Sequence, residues 1–337
     1  MGPFFYLCTM HGIADRIFSL ADREDFKQTA LDIFRVQAEK NPVYGSFVRN
    51  LGVNPRSVST VEQIPFLPIG FFKSHRVVTG GGTPELVFES SGTTGVNTSR
   101  HYVKDPGLYE RSFLTTFRDQ YGNPEEYCIL ALLPSYLEQQ HSSLVYMTHR
   151  LIEKSGHPDS GFYLDNLDAL AKMLKKRVTD RHPTLLFGVS FALLDLAEHY
   201  PMQLPPEVIL METGGMKGRR KELVREELHE ILCSSLDKPV IHSEYGMTEL
   251  LSQAYSHGHN RFTAPPWMKI AIRDPHDPLA PAGPGRTGGI NVIDLANIHS
   301  CAFIATADLG RVYEDGSFEV MGRFDHADIR GCNLLAT

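Results

Sequence analysis

The stretch Glu89-Ser90-Ser91-Gly92-Thr93-Thr94-Gly95, set within VFESSGTTGVNTSRHY, decides how the rest of the chain is read. Leu86, Val87 and Phe88 lead into it, so the pattern predicts a strand that empties into a flexible loop. Gly92 and Gly95 permit backbone conformations that expose successive N–H groups. Ser90, Ser91, Thr93 and Thr94 add hydroxyl donors, and together these suit an anion with several oxygens, such as a phosphate. A surface turn rich in Ser, Thr and Gly accounts for the same residues equally well. A Walker A loop is excluded, because Gly95 is followed by Val96 and Asn97 and the nearest basic residue is Arg100. No G-x-G-x-x-G opens a βα unit here either.

Working outward, 337 residues with 42% hydrophobic and 22% charged residues suffice for a large buried core in one or two domains. A net charge of −7 argues against a general affinity for nucleic acid or for an anionic membrane. The natural partners are small molecules and proteins. The cysteines Cys8, Cys128, Cys233, Cys301 and Cys332 show no C-x-x-C pair and no disulfide spacing, which fits a reducing cytoplasm. The opening MGPFFYLCTMHGIADRI carries no basic leader and no apolar run of membrane-spanning length, so neither export nor an anchor is expected. Tyr6 stands where a myristoylation signal needs Ser or Thr.

Apolar residues from about Ile13 to Leu51 recur at helical intervals and break at Asn41-Pro42. Val61 to Ser74, with two prolines, reads as extended. Beyond the loop, helices are expected over Pro106 to Tyr121, His141 to Ser155, Asn166 to Arg177, Phe191 to Tyr200 and Arg219 to Cys233. They alternate with strands over Tyr127 to Leu133, Thr184 to Gly188 and Val208 to Glu212, which is the rhythm of an α/β domain. A polar turn is expected at His242 to Glu249. The last third is proline-rich and β-rich, with strands at Gly289 to Asp294, Cys301 to Ala305 and Ser317 to Met321.

Three further stretches carry chemistry. His242-Ser243-Glu244-Tyr245-Gly246-Met247-Thr248-Glu249 brings together an aromatic face, a hydroxyl and a carboxylate, able to stack on a base, bind a phosphate oxygen and hold Mg²⁺. A helix-entry turn with Tyr245 packed inward reads the same residues. In Thr306-Ala307-Asp308-Leu309-Gly310 an Asp follows a strand and can accept both hydroxyls of a ribose. In Gly322-Arg323-Phe324-Asp325-His326-Ala327-Asp328-Ile329-Arg330-Gly331-Cys332 an Arg can brace the same sugar or a phosphate. Both are equally good hairpin residues.

The four motifs in this order, SSGTTG, SEYGMTE, TADLG and GRFDHADIRG, resemble the adenylate-forming superfamily of acyl-CoA synthetases, firefly-type luciferases and peptide-synthetase adenylation domains, over about Phe88 to Gly331. The resemblance implies that the Ser90 to Gly95 loop handles the phosphates of ATP and that Tyr245, with Gly246, lies near adenine. It further implies that Thr248 contacts the α-phosphate, Glu249 serves Mg²⁺, Asp308 takes the ribose hydroxyls and Arg323 the ribose or phosphate. Thr213-Gly214-Gly215 resembles the family's second Gly-rich segment, along the adenine and acyl pocket. His141 stands where many members have a histidine beside the acyl pocket; a helix-start histidine without a role fits as well. The lysine usual after the phosphate loop is absent, with Arg100 a stand-in.

The implied fold is the large N-terminal α/β domain of that superfamily, a layered core with a β-rich C-terminal portion, without the mobile C-terminal domain and its lysine. Residues 1–75 are expected as a helical segment packed on the core and 76–337 as the adenylate-forming domain with a short tail, together one structural unit. In extent, and in the phrase IPFLPIGFFKS, the chain resembles the acyl-protein synthetases (LuxE type) of the bacterial fatty-acid reductase systems. In those enzymes a fatty acid is activated with ATP and moved to a cysteine near the C-terminus, from which a partner reductase receives it. The matching residue is Cys332, and the other four cysteines are expected to be structural. Scattered histidines, including His257 and His259, form no metal framework, and no structural zinc is expected. The resemblance thus implies a cytoplasmic ATP- and Mg²⁺-dependent enzyme with a carboxylic-acid substrate and an acyl-accepting protein partner; a homo-oligomer is compatible with it. A shortened acyl- or aryl-CoA ligase completed by another chain, and a nucleotide-binding scaffold subunit without turnover, fit the same residues.

Overall fold

Asp22 starts the first long helix, its carboxylate accepting from the N–H groups of Glu24 and Asp25 at the head of α1 (Arg23–Lys40). Asn41 ends α1 and starts α2 (Pro42–Asn50): its Oδ1 accepts from the N–H groups of Val43 and Tyr44, and Pro42 occupies the first helical position. The computed structural model describes residues 12–90, 98–134, 139–164, 166–214, 223–283 and 285–324. The chain divides into two compact units, one formed by Met1–Glu85, His101–Lys104 and Thr263–Thr337, the other by Leu86–Arg100 and Asp105–Phe262.

In the first unit the apolar face of α1, with Phe26, Ala30, Leu31, Ile33 and Phe34, is buried. The buried Gln37 on the same helix donates to the carbonyls of Asn297 and Ile298 and accepts from the N–H of Ala302. The segment expected as extended over Val61 to Ser74 is only partly so. Its middle forms β1 (Leu67–Pro68), but a 3₁₀ turn covers Val61–Gln63 and a helical turn covers Phe71–Ser74. No proline lies beyond Gly70 to forbid that second turn.

The second unit is a parallel sheet with helical connections. Its elements are β2 (Leu86–Glu89), α3 (Pro106–Tyr121), β3 (Cys128–Leu132), α4 (Ser143–Ser155), β4 (Gly161–Phe162), α5 (Leu167–Asp180), β5 (Thr184–Val189), α6 (Ser190–His199), β6 (Val208–Thr213), α7 (Arg225–Leu236), β7 (His242–Tyr245) and β8 (Ala254–Ser256). The strand order is β4-β3-β5-β6-β7-β8, parallel except for the last pair. β3 and β5 are buried along their whole length, which is why they read as uninterrupted apolar runs rather than alternating ones. Two elements differ most from the sequence reading. α7 begins at Arg225, with Val224 still extended, and runs on to Leu236. His242 to Tyr245 is not part of a turn but a strand, because it pairs in parallel with Met211 to Thr213 of β6.

The first unit is completed by an antiparallel meander of β9 (Met268–Arg273), β10 (Gly288–Asp294), β11 (Phe303–Val312) and β12 (Phe318–Arg323), with β1 parallel to β11. β11 continues well past Ala305, so Thr306 to Gly310 lies inside a strand rather than after one. Two neighbours hold it there, and irregularities at Gly289/Asn291 and Leu309/Gly310 absorb the register shift. Gly310 is required at its bulge, since a Cβ would run into the carbonyl oxygen of Glu319. Among the described residues no helix is long and apolar enough to cross a membrane.

Candidate functional site

In open parallel sheets the carboxyl ends of the strands are where chain reversals leave backbone groups and helix N-termini free to meet a ligand. In the second unit that edge is formed by neighbouring strands: β5 runs into Ser190, β6 into Thr213-Gly214 and β7 into Tyr245-Gly246. Side chains tie these ends together. Ser190 Oγ donates to the Gly214 carbonyl at 2.9 Å and lies 3.3 Å from Glu212 Oε2. Thr213 Oγ1 donates to Glu244 Oε2, joining β6 to β7. Gly214 has φ +70°, a left-handed conformation that favours glycine. At Gly246 the constraint is crowding instead: a Cβ there would stand 2.5 Å from Glu244 Oε1, so the buried Glu244 carboxyl would have to shift.

Two buried carboxylates with opposite behaviour sit in this frame. For Glu212, 1% exposed, burial opposes ionisation, but hydrogen bonding from His229 and Ser243 and the charge of Arg225 outweigh it and hold the carboxyl below its ordinary value. Its ion pair with Arg225 Nε is 3.0 Å long, and His229 Nε2 lies at 3.5 Å. For Glu244, 5% exposed, burial dominates; the Thr213 hydrogen bond pulls the other way, the charge of Glu212 adds to the rise, and the carboxyl is pushed up to about 7. Glu244 therefore keeps its proton up to near-neutral pH.

Tyr245 ends β7 with 7% exposure, its ring meeting Phe262 edge-on at 6.0 Å. Thr248, half-buried, and Glu249, 5% exposed, follow in the next turn, and neither lacks a partner. At the end of β2, Ser90 closes the neck of its loop: its N–H donates to the Ser99 carbonyl at 3.0 Å, and its Oγ accepts from the Ser99 N–H at 2.9 Å. Ser91, Gly92, Thr93, Thr94 and Gly95 lie outside the described residues, as do Gly215 and Cys332. Arg100, the stand-in for the absent lysine, is paired with Glu89 at 3.1 Å on the surface. His141 is exposed beside β2, its carbonyl accepting from the Glu89 N–H.

In the first unit Asp308 and Arg323 stand directly opposite each other on β11 and β12, with Arg323 Nε 3.5 Å from Asp308 Oδ1. The Asp308 side chain is 13% exposed and that of Arg323 79%, so the guanidinium is at the surface while the carboxylate is sunk beside the strand. The Asp308 N–H donates to Thr306 Oγ1, and Thr306 in turn is bound to the Ile290 carbonyl. The buried Arg273 braces the same strands, donating to the carbonyls of Ile290 and Thr306 and lying 5.4 Å from the Phe324 ring centre.

Among the described cysteines, Cys128 and Cys301 are fully buried, and burial pushes their thiols up to about 11 and about 12; the half-buried Cys233 is shifted the same way. Buried, protonated thiols of this kind are poor nucleophiles. Among the described residues there is no group of three or more His, Cys, Asp or Glu able to hold a metal ion. Glu249 by itself suits Mg²⁺, which keeps several waters and takes other ligands from substrate phosphates. Sequence reasoning missed Ser190, Glu212, Glu244 and Arg225. The signal available for Glu212 was a lone acid inside the apolar strand VILMET, yet nothing in the sequence ties it to Arg225, thirteen positions on.

No family model matches the chain. It is 23% identical over 331 residues to the long-chain-fatty-acid–luciferin-component ligase of Aliivibrio fischeri, covering 90% of this chain and 85% of the relative. The Vibrio harveyi protein of the same name is 21% identical over 330 residues, covering 89% and 84%. Among solved structures, ATP-bound MatB from Rhodopseudomonas palustris matches with a TM-score of 0.53 at 17% identity, over 81% of this chain and 51% of that one. A luciferase-like enzyme from the mealworm Zophobas morio matches with a TM-score of 0.51 at 16% identity, over 74% and 60%. The chain thus spans about half the length of the MatB structure it matches, and the likeness to solved structures is one of fold.

Proposed function

We propose that this chain, similar along nine tenths of its length to long-chain-fatty-acid–luciferin-component ligases and alike in fold to ATP-bound MatB, is an adenylate-forming enzyme that activates a carboxylic acid, most naturally a fatty acid, with ATP and transfers the acyl group to the thiol of Cys332. The observation that carries the reading is the convergence of Thr213-Gly214 and Tyr245-Gly246 at the carboxyl edge of two adjacent parallel strands, with Thr248 and Glu249 in the turn that follows. Two turns from adjacent strands, one opened by glycine and one following an aromatic residue, bring backbone polar groups to one edge, which is what a purine nucleotide needs.

The chemistry follows from the weakness of a carboxylate as an electrophile. A carboxylate oxygen attacks the α-phosphorus of ATP, the bond to the β-phosphate oxygen breaks, and pyrophosphate leaves. The acyl-adenylate then carries a good leaving group, so the Cys332 thiolate attacks the acyl carbon, a C–S bond forms, and AMP departs with the electron pair of the C–O bond; the thiol proton passes to solvent. In this reading the Ser90 to Gly95 loop holds the phosphates, Gly214 and Gly215 with Tyr245 and Gly246 receive adenine, and Thr248 donates to the α-phosphate. Asp308 accepts from the ribose hydroxyls and Arg323 supports the ribose or phosphate. Glu249 would hold Mg²⁺, whose charge offsets that developing on the phosphates. The acyl group then passes to a protein partner, which the resemblance to the acyl-protein synthetases implies is a reductase.

Intact-protein mass spectrometry after incubation with ATP, Mg²⁺ and a panel of carboxylic acids tests the reading, with Cys332→Ser in parallel. A hydroxylamine-labile acyl adduct on the native chain that is absent from the variant is expected. Absence of pyrophosphate release with every acid would sink adenylation. An acyl-CoA product from the lone chain, without a protein adduct, would sink transfer to Cys332.

A further inference from the structure

Glu212 is a charged residue where the fold would be served by an apolar one. It is the penultimate residue of β6, 1% exposed, and its register neighbours are Gly188 on β5 and Ser243 on β7. A carboxylate buried this way is tolerated only when hydrogen bonds and opposite charge replace the water it has lost. Arg225 Nε at 3.0 Å and His229 Nε2 at 3.5 Å supply that replacement, while Ser190 Oγ lies 3.3 Å away with its single proton directed at the nearer Gly214 carbonyl.

Two arms lead away from this carboxylate, and each reaches a turn at the carboxyl edge. The first is short: Ser190, anchored beside Glu212, donates to the Gly214 carbonyl at 2.9 Å and so holds the left-handed turn that ends β6. The second runs through Arg225. With its Nε on Glu212 and its Nη1 donating to Asn260 Oδ1 at 2.6 Å, the guanidinium plane is fixed 5.1 Å from the centre of the Phe262 ring. Phe262, fully buried, meets Tyr245 at 6.0 Å with an interplanar angle of 62°.

We propose that Glu212 is a positioning residue for the binding of a purine nucleoside triphosphate: it touches no substrate, and it fixes both the Gly214 turn and the Tyr245 ring in the arrangement that receives the nucleotide. The proposal rests on the adenylate-forming reading and adds to it a buried hub, Glu212 with Arg225, Ser190 and Phe262 as its arms. A merely structural ion pair would be felt in stability alone. A hub is felt in nucleotide affinity even when the protein is folded.

The experiment measures the Kd of ATP with Mg²⁺ by titration calorimetry, at a temperature well below each melting point, for the native chain, Glu212→Gln, Arg225→Lys and Phe262→Leu. Leu174→Ala, a core change on α5, serves as an equally destabilised control. Glu212→Gln keeps the shape and a carbonyl oxygen but removes the charge that holds Arg225, and Arg225→Lys keeps the charge but removes the planar fork. The hub predicts Kd raised at least fivefold in Glu212→Gln and Phe262→Leu, a smaller rise in Arg225→Lys, and no change in Leu174→Ala. It also predicts that KM for ATP in pyrophosphate release rises more than kcat falls. Folded Glu212→Gln binding ATP within twofold of the native chain would overturn the proposal; should that variant fail to fold, native-like binding by Phe262→Leu and Arg225→Lys would do so. Failure of the native chain itself to bind ATP would overturn the adenylate-forming reading instead, and the hub with it.

Discussion

Replacing Glu244 with Gln should change how stability depends on pH more than stability itself. Burial raises the Glu244 carboxyl from an ordinary 4.5 to about 7, so the folded protein holds that proton more tightly than the unfolded chain does. Below pH 4.5 both states carry the proton and the group costs nothing. As pH rises from there to about 7 the unfolded chain ionises while the folded one does not, and folding is progressively penalised. A rise of that size is worth about 3 kcal/mol in full, since each pKa unit corresponds to about 1.4 kcal/mol. Gln has nearly the same shape, still accepts from Thr213 Oγ1 and cannot titrate. Urea unfolding followed by circular dichroism at pH 5, 6, 7 and 8 should therefore give a variant more stable than the native chain by about 1 kcal/mol at pH 5 and by about 3 kcal/mol at pH 8. Glu212 does not confuse the comparison. Its folded pKa is depressed, so its contribution is present above the unfolded value and is lost only as pH falls through the lower folded one. A difference between the two proteins that stays constant from pH 5 to pH 8 would refute the assignment of a buried, protonated carboxyl to Glu244.

Gly246→Ala forces a Cβ to within 2.5 Å of Glu244 Oε1, and overpacking of this kind costs about 1–3 kcal/mol. Thermal melting should show the loss and Glu244→Ala in the same chain should largely restore it; an unchanged melting temperature in the single variant would contradict the crowding argument. Asn41→Ala removes the acceptor for two helix-start N–H groups together with donations to Thr79 Oγ1 and the Ser300 carbonyl, at a residue 1% exposed. A loss of about 3 kcal/mol is expected in denaturant unfolding, with faster amide exchange at the start of α2; exchange that stays at native rates would remove Asn41 from the role of cap.

The α/β rhythm of the middle of the chain was legible because each element there satisfies a local rule. Asp105 with Pro106, Ser142 and Asn166 mark helix starts, and the apolar runs at Cys128–Leu132 and Thr184–Val189 are too short for helices and too continuous for half-exposed strands. His242–Tyr245 was illegible as a strand because four residues of mixed polarity carry no period; parallel pairing with β6 makes them one. The extension of β11 through Asp308 is likewise the work of its two neighbours.

For the candidate site, the sequence by itself determined which residue types stand in which order: the hydroxyl and glycine loop from Ser90, the Thr213-Gly214-Gly215 turn, Tyr245 to Glu249, Asp308, Arg323 and Cys332. That order is a one-dimensional property, and a family can be recognised from it. Only the tertiary structure decided that Asp308 and Arg323 face each other across two strands, that the Glu212 carboxyl is held below its ordinary value and the Glu244 carboxyl raised above it, and that Arg225 reaches back to Glu212. The reason is physical: ionisation depends on burial and on charges only a few ångströms away, and those distances are set by sheet register and helix packing between residues far apart in the chain.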